Sequence, residues 1–178
     1  MDRTLERIDK AIRKKVDFPR KGIQYNDISG LTVSVEAFSA CIDLMYAFCK
    51  DKQIDRIAGI ESRGFVFASP LAYRMHLPMV MVRKRGKLCG TVREKEYQLE
   101  YGTDTICLQE EDFNKGDRIL ICDDLVATGG TLLAACQLFE EMGAVVTGCL
   151  CVVGLPYLDY RGKLSGFPVH TLLEYDRY

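Results

Sequence analysis

The spacing of apolar residues predicts helices in several parts of the chain. Leu5, Ile8, Ile12 and Val16 recur every three or four residues, which is the pattern of an amphipathic helix, here ending at about residue 15. Ser34 belongs to a residue type that favours helix N-caps, and it precedes a second helical pattern that reaches about residue 50. Two further helices are predicted over residues 64–75 and 132–142.

Short apolar runs rich in branched side chains predict strands between these helices. Strands that alternate with helices form a mainly parallel, twisted sheet flanked by helices on both faces. The chain has 178 residues and shows no repeat or linker, so we expect an α/β fold in a single domain over residues 1–178. The predicted strands cover residues 55–60, 77–83, 101–109, 118–123, 145–154 and 169–174.

Two segments lack a clear periodic pattern. Residues 17–30 are predicted to be irregular, yet they carry Phe18, Ile23 and Tyr25, so we expect them to pack over another part of the molecule. Residues 84–98 are rich in Lys, Arg, Gly and Glu and have few apolar anchors, which indicates a mobile loop.

Composition limits the classes of partner. The formal net charge is −1, so no overall basic field would attract nucleic acid or an anionic membrane surface. No apolar stretch resembles a signal peptide or is long enough to cross a bilayer, and we expect a cytoplasmic protein. The eight cysteines include no Cys-x-x-Cys pair, so reduced thiols are favoured over disulfides or a zinc site.

Candidate chemistry is concentrated after the apolar run at residues 119–122. Asp123 and Asp124 follow that run, then a loop of small residues, then the helix predicted from Leu132. Backbone N–H groups at a helix N-terminus bind anions, and threonine hydroxyls add donors. Adjacent carboxylates can accept hydrogen bonds from vicinal sugar hydroxyls. The pattern indicates a site for a 5-phosphorylated ribose, whereas a Gly-rich turn without a ligand is the alternative. The loop residues are Ala127, Thr128, Gly129, Gly130 and Thr131.

Two more polar segments are predicted at the same edge of the sheet. Glu61, Ser62 and Arg63 lie in a second strand-to-helix turn, and a basic cluster follows the next strand at residues 83–87. Ligands of open parallel sheets bind beyond the carboxyl ends of the strands, so these segments converge on one site. The alternatives are an exposed, salt-bridged turn and a solvated charged face.

Six motifs resemble, in the same order, those of the type I phosphoribosyltransferases, and specifically of members that act on adenine. The resemblance implies a Rossmann-like sheet with a small N-terminal hood at about 17–30 and a flexible catalytic loop at about 84–98. It also implies transfer of phosphoribose from phosphoribosyl pyrophosphate (PRPP) to adenine, and a cis peptide between Glu61 and Ser62. The motifs are Asp-Phe-Pro at 17–19, Asn-Asp-Ile-Ser at 26–29, Ser-Arg-Gly-Phe at 62–65, Arg-Lys-Arg-Gly-Lys-Leu at 83–88, Leu-Glu-Tyr-Gly at 99–102 and Asp-Asp-Leu-Val-Ala-Thr-Gly-Gly-Thr at 123–131.

The resemblance implies a role for each group of candidate residues. Residues 127–131 would hold the 5-phosphate of PRPP, and Asp123 and Asp124 would face the ribose hydroxyls near a Mg²⁺ ion bound mainly through substrate. Glu100 would act as the acid or base at the purine. Pyrophosphate would be held by Glu61, Ser62, Arg63, Arg83, Lys84 and Lys87, and adenine by Ile23, Gln24, Tyr25, Asn26 and Arg63.

The resemblance also implies a homodimer, in which Arg83 can reach the neighbouring subunit's site. Two departures from the motifs affect the hood and loop: Asn26 stands where many members have arginine, and Cys89-Gly90 replaces a proline-containing segment. Two alternative functions are a transferase that acts on another base and a nucleotide-sensing regulator without catalytic activity. A regulator would add a DNA-binding domain or a basic face, and this chain has neither a spare domain nor a positive charge balance.

Overall fold

A computed structural model describes residues 3–18, 20–22, 24–98 and 102–176 of the chain. Within them the helices are α1 Arg3–Ala11, α2 Ser29–Thr32, α3 Val35–Cys49, α4 Gly64–Met75, α5 Gly130–Glu141 and α6 Tyr160–Lys163. The strands are β1 Arg13–Val16, β2 Gln24–Asp27, β3 Arg56–Ile60, β4 Met79–Lys84, β5 Val92–Gln98, β6 Thr103–Gln109, β7 Arg118–Val126, β8 Val145–Gly154 and β9 Val169–Glu174.

Seven strands form one sheet in the order β5-β6-β4-β3-β7-β8-β9. The five strands from β4 to β9 in that order are parallel, whereas β6 runs antiparallel to both β4 and β5. Apolar cores cover both faces: α1 to α4 pack on one face around Met45 and Phe67, and α5 packs on the other through Leu138 and Phe139. The predicted mainly parallel α/β sheet is therefore confirmed.

The strongly patterned elements have the predicted positions. The bounds of α4, β8 and β9 match the prediction, and Ser34 caps α3 by accepting a hydrogen bond from the N–H of Ala37. These elements bury apolar side chains in the cores, so the spacing of their apolar residues predicts where they begin and end.

The N-terminal prediction is partly wrong. The first helix ends at Ala11 instead of residue 15, and β1 pairs antiparallel with β2 to form a separate two-stranded ribbon. Gly30 lies close to the last residue of α1, because a Cβ at that position would lie 1.9 Å from the carbonyl oxygen of Ala11. The chain therefore crosses closely over the end of α1. Residues 17–30 are irregular only in part, since they include β2 and the start of α2.

Two further corrections concern the candidate site. The sequence predicts a mobile loop over residues 84–98, but Val92–Gln98 form β5, which pairs with β6 along its whole length. The strand expected to end at residue 123 continues to Val126, so Asp123 and Asp124 lie within β7. The short helix α6 has no counterpart in the prediction.

All eight cysteines are free thiols, as predicted, and only Cys89 is exposed. Cys149 and Cys151 project into the same core, as their alternation in a strand predicts. Among the residues that the structure describes, no helix is both long enough and apolar enough to span a bilayer.

Candidate active site

A cavity of about 360 Å³ opens beyond the carboxyl ends of β3, β4 and β7. It joins the three polar segments that the sequence predicts at one edge of the sheet. Its predicted lining residues are Glu61, Ser62, Arg63, Lys84, Asp123, Asp124, Ala127, Thr128, Gly129, Gly130 and Thr131.

Residues 127–131, called the Gly-rich loop below, connect β7 to α5. The loop begins after Val126, whose carbonyl accepts a hydrogen bond of 3.0 Å from the N–H of Leu155. Gly129 has φ +78°, a left-handed conformation that suits glycine, and α5 starts at the next residue. The first N–H groups of a helix have no partner within that helix, so the loop and the start of α5 present donors to the cavity.

The position of Asp123 and Asp124 follows from the way β7 is paired. Pairing with β3 ends at Cys122, whereas pairing with β8 continues to Val126. One edge of β7 is thus left open towards the cavity at the two acids. The backbone N–H of Asp124 donates to Oδ1 of Asp123 at 2.8 Å, which orients the Asp123 carboxylate.

Burial raises the pKa of both carboxyls. Asp124 is 3% exposed, and burial raises its pKa although the Arg63 guanidinium opposes the shift. Burial also raises the pKa of Asp123, and the neighbouring charge of Asp124 adds to the effect. Gly64 approaches this pair closely, because a Cβ there would lie 2.9 Å from Oδ1 of Asp123. The pair therefore retains a proton above the usual carboxyl range.

Asp124 has an acceptor that no hydrogen bond satisfies. Its Oδ2 is buried and forms an ion pair with Nε of Arg63 at 3.0 Å, but it accepts no hydrogen bond. The described residues include no group of three or more potential metal-binding side chains. Mg²⁺ in phosphate sites typically binds one or two carboxylates and completes its shell with substrate oxygens and water. The two acids fit an ion bound in that way.

Arg63 links the acids to the N-terminal ribbon. Its Nη1 donates a hydrogen bond of 2.6 Å to the hydroxyl of Tyr25, and its guanidinium carbon lies 5.9 Å from the Tyr25 ring centre. The peptide bond between Glu61 and Ser62 is cis, as the resemblance implies.

Glu61 organises the basic residues of β4. Its carboxylate accepts a hydrogen bond of 2.9 Å from the N–H of Lys84 and lies 3.3 Å from Nε of Arg83. Burial favours a raised pKa for Glu61, but these hydrogen bonds and charges outweigh it and lower the pKa. Arg83 also donates to the carbonyl of Lys87 at 2.9 Å, and neither Arg83 nor Lys87 lines the cavity. These two residues are held at its edge.

Two polar side chains that line the cavity, Asp104 and Tyr97, are not predicted from the sequence. Asp104 lies 3.1 Å from Nζ of Lys84 and, through this hydrogen bond, raises the pKa of the lysine. The hydroxyl of Tyr97 is 3.4 Å from Asp104 and 3.3 Å from Oγ1 of Thr131, so it connects β5 to the Gly-rich loop. The only signal for Tyr97 was an aromatic residue within a charged run.

The predicted base-binding residues are only partly tested. Tyr25 reaches the site through Arg63, whereas the side chain of Asn26 is buried, does not line the cavity and leaves Oδ1 without a hydrogen-bond partner. Gln24 contributes its backbone to β2. Ile23 and Glu100 lie outside the described residues.

Comparison with protein families gives one consistent result. Residues 31–164 match the model of the phosphoribosyl transferase domain. An adenine phosphoribosyltransferase of Treponema denticola is 50% identical over 169 residues, which are 95% of this chain and 89% of that protein.

Solved structures agree with this match. The crystal structure of adenine phosphoribosyltransferase from Thermoanaerobacter pseudethanolicus has a TM-score of 0.93 and 40% identity, covering 96% of this chain and 99% of that chain. The enzyme from Saccharomyces cerevisiae, crystallised with an imino-altritol bisphosphate and adenine, has a TM-score of 0.91 and 33% identity, covering 97% of this chain and all of that chain.

Proposed function

The chain belongs to the phosphoribosyltransferase family and, within it, to the adenine phosphoribosyltransferases, and on this premise we propose how its residues divide the reaction between them. The enzyme converts adenine and PRPP to AMP and pyrophosphate. A bond forms between a ring nitrogen of adenine and the anomeric carbon of ribose, the bond from that carbon to pyrophosphate breaks, and the nitrogen loses its proton. This reaction salvages adenine as a nucleotide.

One observation carries the assignment of the site. The paired acids and the Gly-rich loop line the same cavity as Arg63 and Lys84, so acceptors for ribose, donors for phosphate and cations for pyrophosphate share one space. The reaction needs these three kinds of contact together. Transfer through an oxocarbenium-like transition state depends mainly on positioning and charge stabilisation, which fixed donors and acceptors provide.

The Gly-rich loop is assigned to the 5-phosphate, and Asp123 and Asp124 to the ribose hydroxyls. Support comes from the start of α5 within the loop, where a helix presents N–H groups, and from the buried Oδ2 of Asp124, which accepts no hydrogen bond. The carboxylates also favour positive charge that develops on the ribose ring as pyrophosphate leaves.

Pyrophosphate is assigned to Ser62, Arg63, Arg83, Lys84 and Lys87. In the free protein Arg83 and Lys84 are bound to Glu61 and Asp104, so an incoming pyrophosphate exchanges with these carboxylates for the same cations. Glu61 therefore acts by positioning the basic residues, because a carboxylate repels the leaving group.

Adenine is assigned to the hood, with apolar and backbone contacts from residues 23–26 and stacking on Arg63. The hydrogen bond between Arg63 and Tyr25 supports this, since it holds the guanidinium beside the hood. Glu100 is proposed as the acid or base at the purine, on the basis of the Leu-Glu-Tyr-Gly motif at residues 99–102.

Mg²⁺ is proposed as the metal, held near Asp123 and Asp124 and mainly through substrate oxygens. When bound, it neutralises charge on the leaving pyrophosphate. Both carboxylates must be ionised to approach the ion, so binding of Mg²⁺–PRPP displaces the proton that burial retains on the pair.

We further propose a homodimer that works in the cytoplasm. Val66 and Tyr73 lie seven residues apart on one face of α4, and Tyr73 is 82% exposed, which supports an apolar contact with a second copy. Eight free thiols suit a reducing compartment. Elements from both ends of the chain pack in one core, which supports a single domain over residues 1–178.

Substrate choice tests the assignment directly. Pyrophosphate release is measured with PRPP and each of adenine, hypoxanthine, guanine and uracil. Release with adenine alone is expected, and a preference for another base would overturn the assignment of the hood. Release without any base serves as the control for hydrolysis of PRPP.

A further inference from the structure

A buried tyrosine lies directly behind the Gly-rich loop. Tyr160, the first residue of α6, is 0% exposed. A Cβ on Gly129 would lie 3.3 Å from Cβ of Tyr160 and 3.1 Å from Cδ1 of Leu164, so α6 forms the floor under the left-handed turn of the loop. The N–H of Leu164 donates to the carbonyl of Tyr160 at 2.9 Å, which keeps these two side chains together.

The hydroxyl of Tyr160 is anchored to the last strand. It donates a hydrogen bond of 2.7 Å to Oε1 of Glu174, at the end of β9. The same oxygen accepts a hydrogen bond of 2.8 Å from Thr171 and another from Arg161. Burial alone would raise the pKa of Glu174, but these donors outweigh it and lower the pKa. Burial and the carboxylate raise the pKa of Tyr160, so the phenol remains a donor at neutral pH.

The end of β8 completes this support. Gly154 leaves space for the phenol, because a Cβ there would lie 2.7 Å from the Tyr160 hydroxyl. The next residue, Leu155, donates its N–H to Val126 immediately before the Gly-rich loop. The loop is thus held at its start by β8 and at its centre by Tyr160, whose own position is fixed by Glu174.

We infer that Tyr160, held by Glu174, is a positioning residue that fixes the Gly-rich loop for the 5-phosphate of PRPP. The inference rests on the proposed assignment of that loop to the phosphate. Neither side chain lines the cavity, so the effect passes through the backbone of Gly129. Small displacements of binding groups weaken a preorganised site substantially.

Tyr160→Phe tests the inference because it keeps the Cβ beside Gly129 and the ring beside Gly154, and removes only the hydroxyl. We expect the KM for PRPP to rise about three- to tenfold, which is less than the full contribution of a hydrogen bond to a charged group because the effect reaches the substrate only through the backbone of Gly129, while the KM for adenine stays unchanged. Glu174→Ala should have the same effect. Glu174→Gln, whose amide oxygen still accepts from the phenol, should remain within about twofold of the unmodified enzyme.

Tyr175→Phe is the matched control. The Tyr175 hydroxyl also donates to a carboxylate, Oδ1 of Asp9 at 2.6 Å, but on α1 and away from the Gly-rich loop. Its loss should lower the melting temperature as Tyr160→Phe does and leave the KM for PRPP unchanged. An equal rise in the KM for PRPP in both variants, or no rise in Tyr160→Phe and Glu174→Ala, would overturn the inference.

Gly129→Ala separates this inference from the assignment of the site. Alanine is strained at φ +78° and would contact Leu164 and Tyr160, so it should raise the KM for PRPP whatever holds Tyr160. A rise in Gly129→Ala without one in Tyr160→Phe would reject only the positioning role. No rise in Gly129→Ala would reject the assignment of the loop to phosphate.

Discussion

The two sides of the cavity are built in different ways. The acids and the Gly-rich loop, at residues 123–131, belong to a central strand and a long helix whose apolar residues are buried. The opposite side, called the basic segment here and spanning residues 83–98, consists of the end of β4, a turn and β5, which both pair with β6, and its exposed side chains form ion pairs. Arg85 pairs with Glu94 at 2.8 Å while 63% exposed.

This difference separates preformed geometry from geometry that depends on ligand. Exposed ion pairs contribute about 0–1 kcal/mol each, so the basic segment can exchange its carboxylates for a polyanion at little cost. On the buried side the carboxyl of Asp124, which pairs with Arg63, is only 4% exposed, so its position is fixed by the surrounding structure. We therefore expect changes on the buried side to affect substrate binding, and changes in the basic segment to affect closure and chemistry.

The largest effect on activity should come from Glu100, which follows the basic segment in the sequence. General acid–base groups typically contribute about 10²- to 10⁴-fold, so Glu100→Gln should lower kcat within that range. The KM for PRPP should remain near its original value, because the buried side is intact. Steady-state kinetics with both substrates checks this. A loss of kcat of less than about threefold would mean that Glu100 only positions other groups. It would also contradict the proposal that one side of the cavity serves substrate binding and the other serves chemistry.

Asp124→Asn tests the buried side. Loss of a buried charge that faces the ribose should raise the KM for PRPP by about 10- to 100-fold and change the KM for adenine far less. Asp117→Asn provides a matched control, because Asp117 pairs with Arg56 at 2.5 Å and does not line the cavity. That control should lower only stability. A defect confined to adenine in Asp124→Asn would contradict the assignment.

The raised pKa values of the two acids predict a pH dependence with a definite sign. Burial raises the pKa of Asp123 and Asp124, so the free enzyme keeps a proton on the pair to higher pH than ordinary carboxyls do, whereas bound Mg²⁺–PRPP favours the ionised pair; below that pH, binding releases the proton. The KM for PRPP should fall as pH rises, by up to about tenfold per unit, until the pair ionises in the free enzyme. Measurement from about pH 5 to 8 in the unmodified enzyme and in Asp123→Asn tests this, and an unchanged profile in the variant would refute it.

The smallest expected effect is on the rate of proteolysis, and it tests whether the basic segment closes over substrate. The turn between β4 and β5 contains Arg85 and Lys87, whereas Arg93 and Lys95 lie within β5 and form ion pairs with Glu110 and Glu141. Limited trypsin digestion should therefore cut first after Arg85 or Lys87. Mg²⁺–PRPP should slow this cleavage by at least about threefold. Equal cleavage rates with and without PRPP would show that the basic segment does not close.

Much of the fold can be predicted from the chain because buried elements reveal themselves through apolar spacing. β8 and α4 contribute apolar residues to the cores over most of their length, and their bounds agree with the prediction. β1 lacks this apolar spacing, because all four of its residues are exposed and three of them are Arg or Lys. Its partner β2 begins eleven residues after the first residue of β1. β5 is likewise charged and depends on pairing with β6.

The site shows the same limit. Asp123, Asp124 and the Gly-rich loop could be found because a strand, acids and small residues are adjacent in the sequence. Tyr97 and Asp104 reach the cavity only through the pairing of β5 and β6, so no local pattern identifies them. The extension of β7 to Val126 depends on β8 and could not be predicted either.

The ion pairs around the cavity also bear on how fast substrate arrives. Among the described residues, Arg63, Arg83 and Lys84 are each paired with a carboxylate, so most of the positive charge assigned to pyrophosphate is already compensated. A pocket with so little excess charge generates only weak long-range attraction for a polyanion. The association rate constant for PRPP should therefore depend only weakly on ionic strength, and capture should rely on encounter followed by exchange of partners inside the pocket.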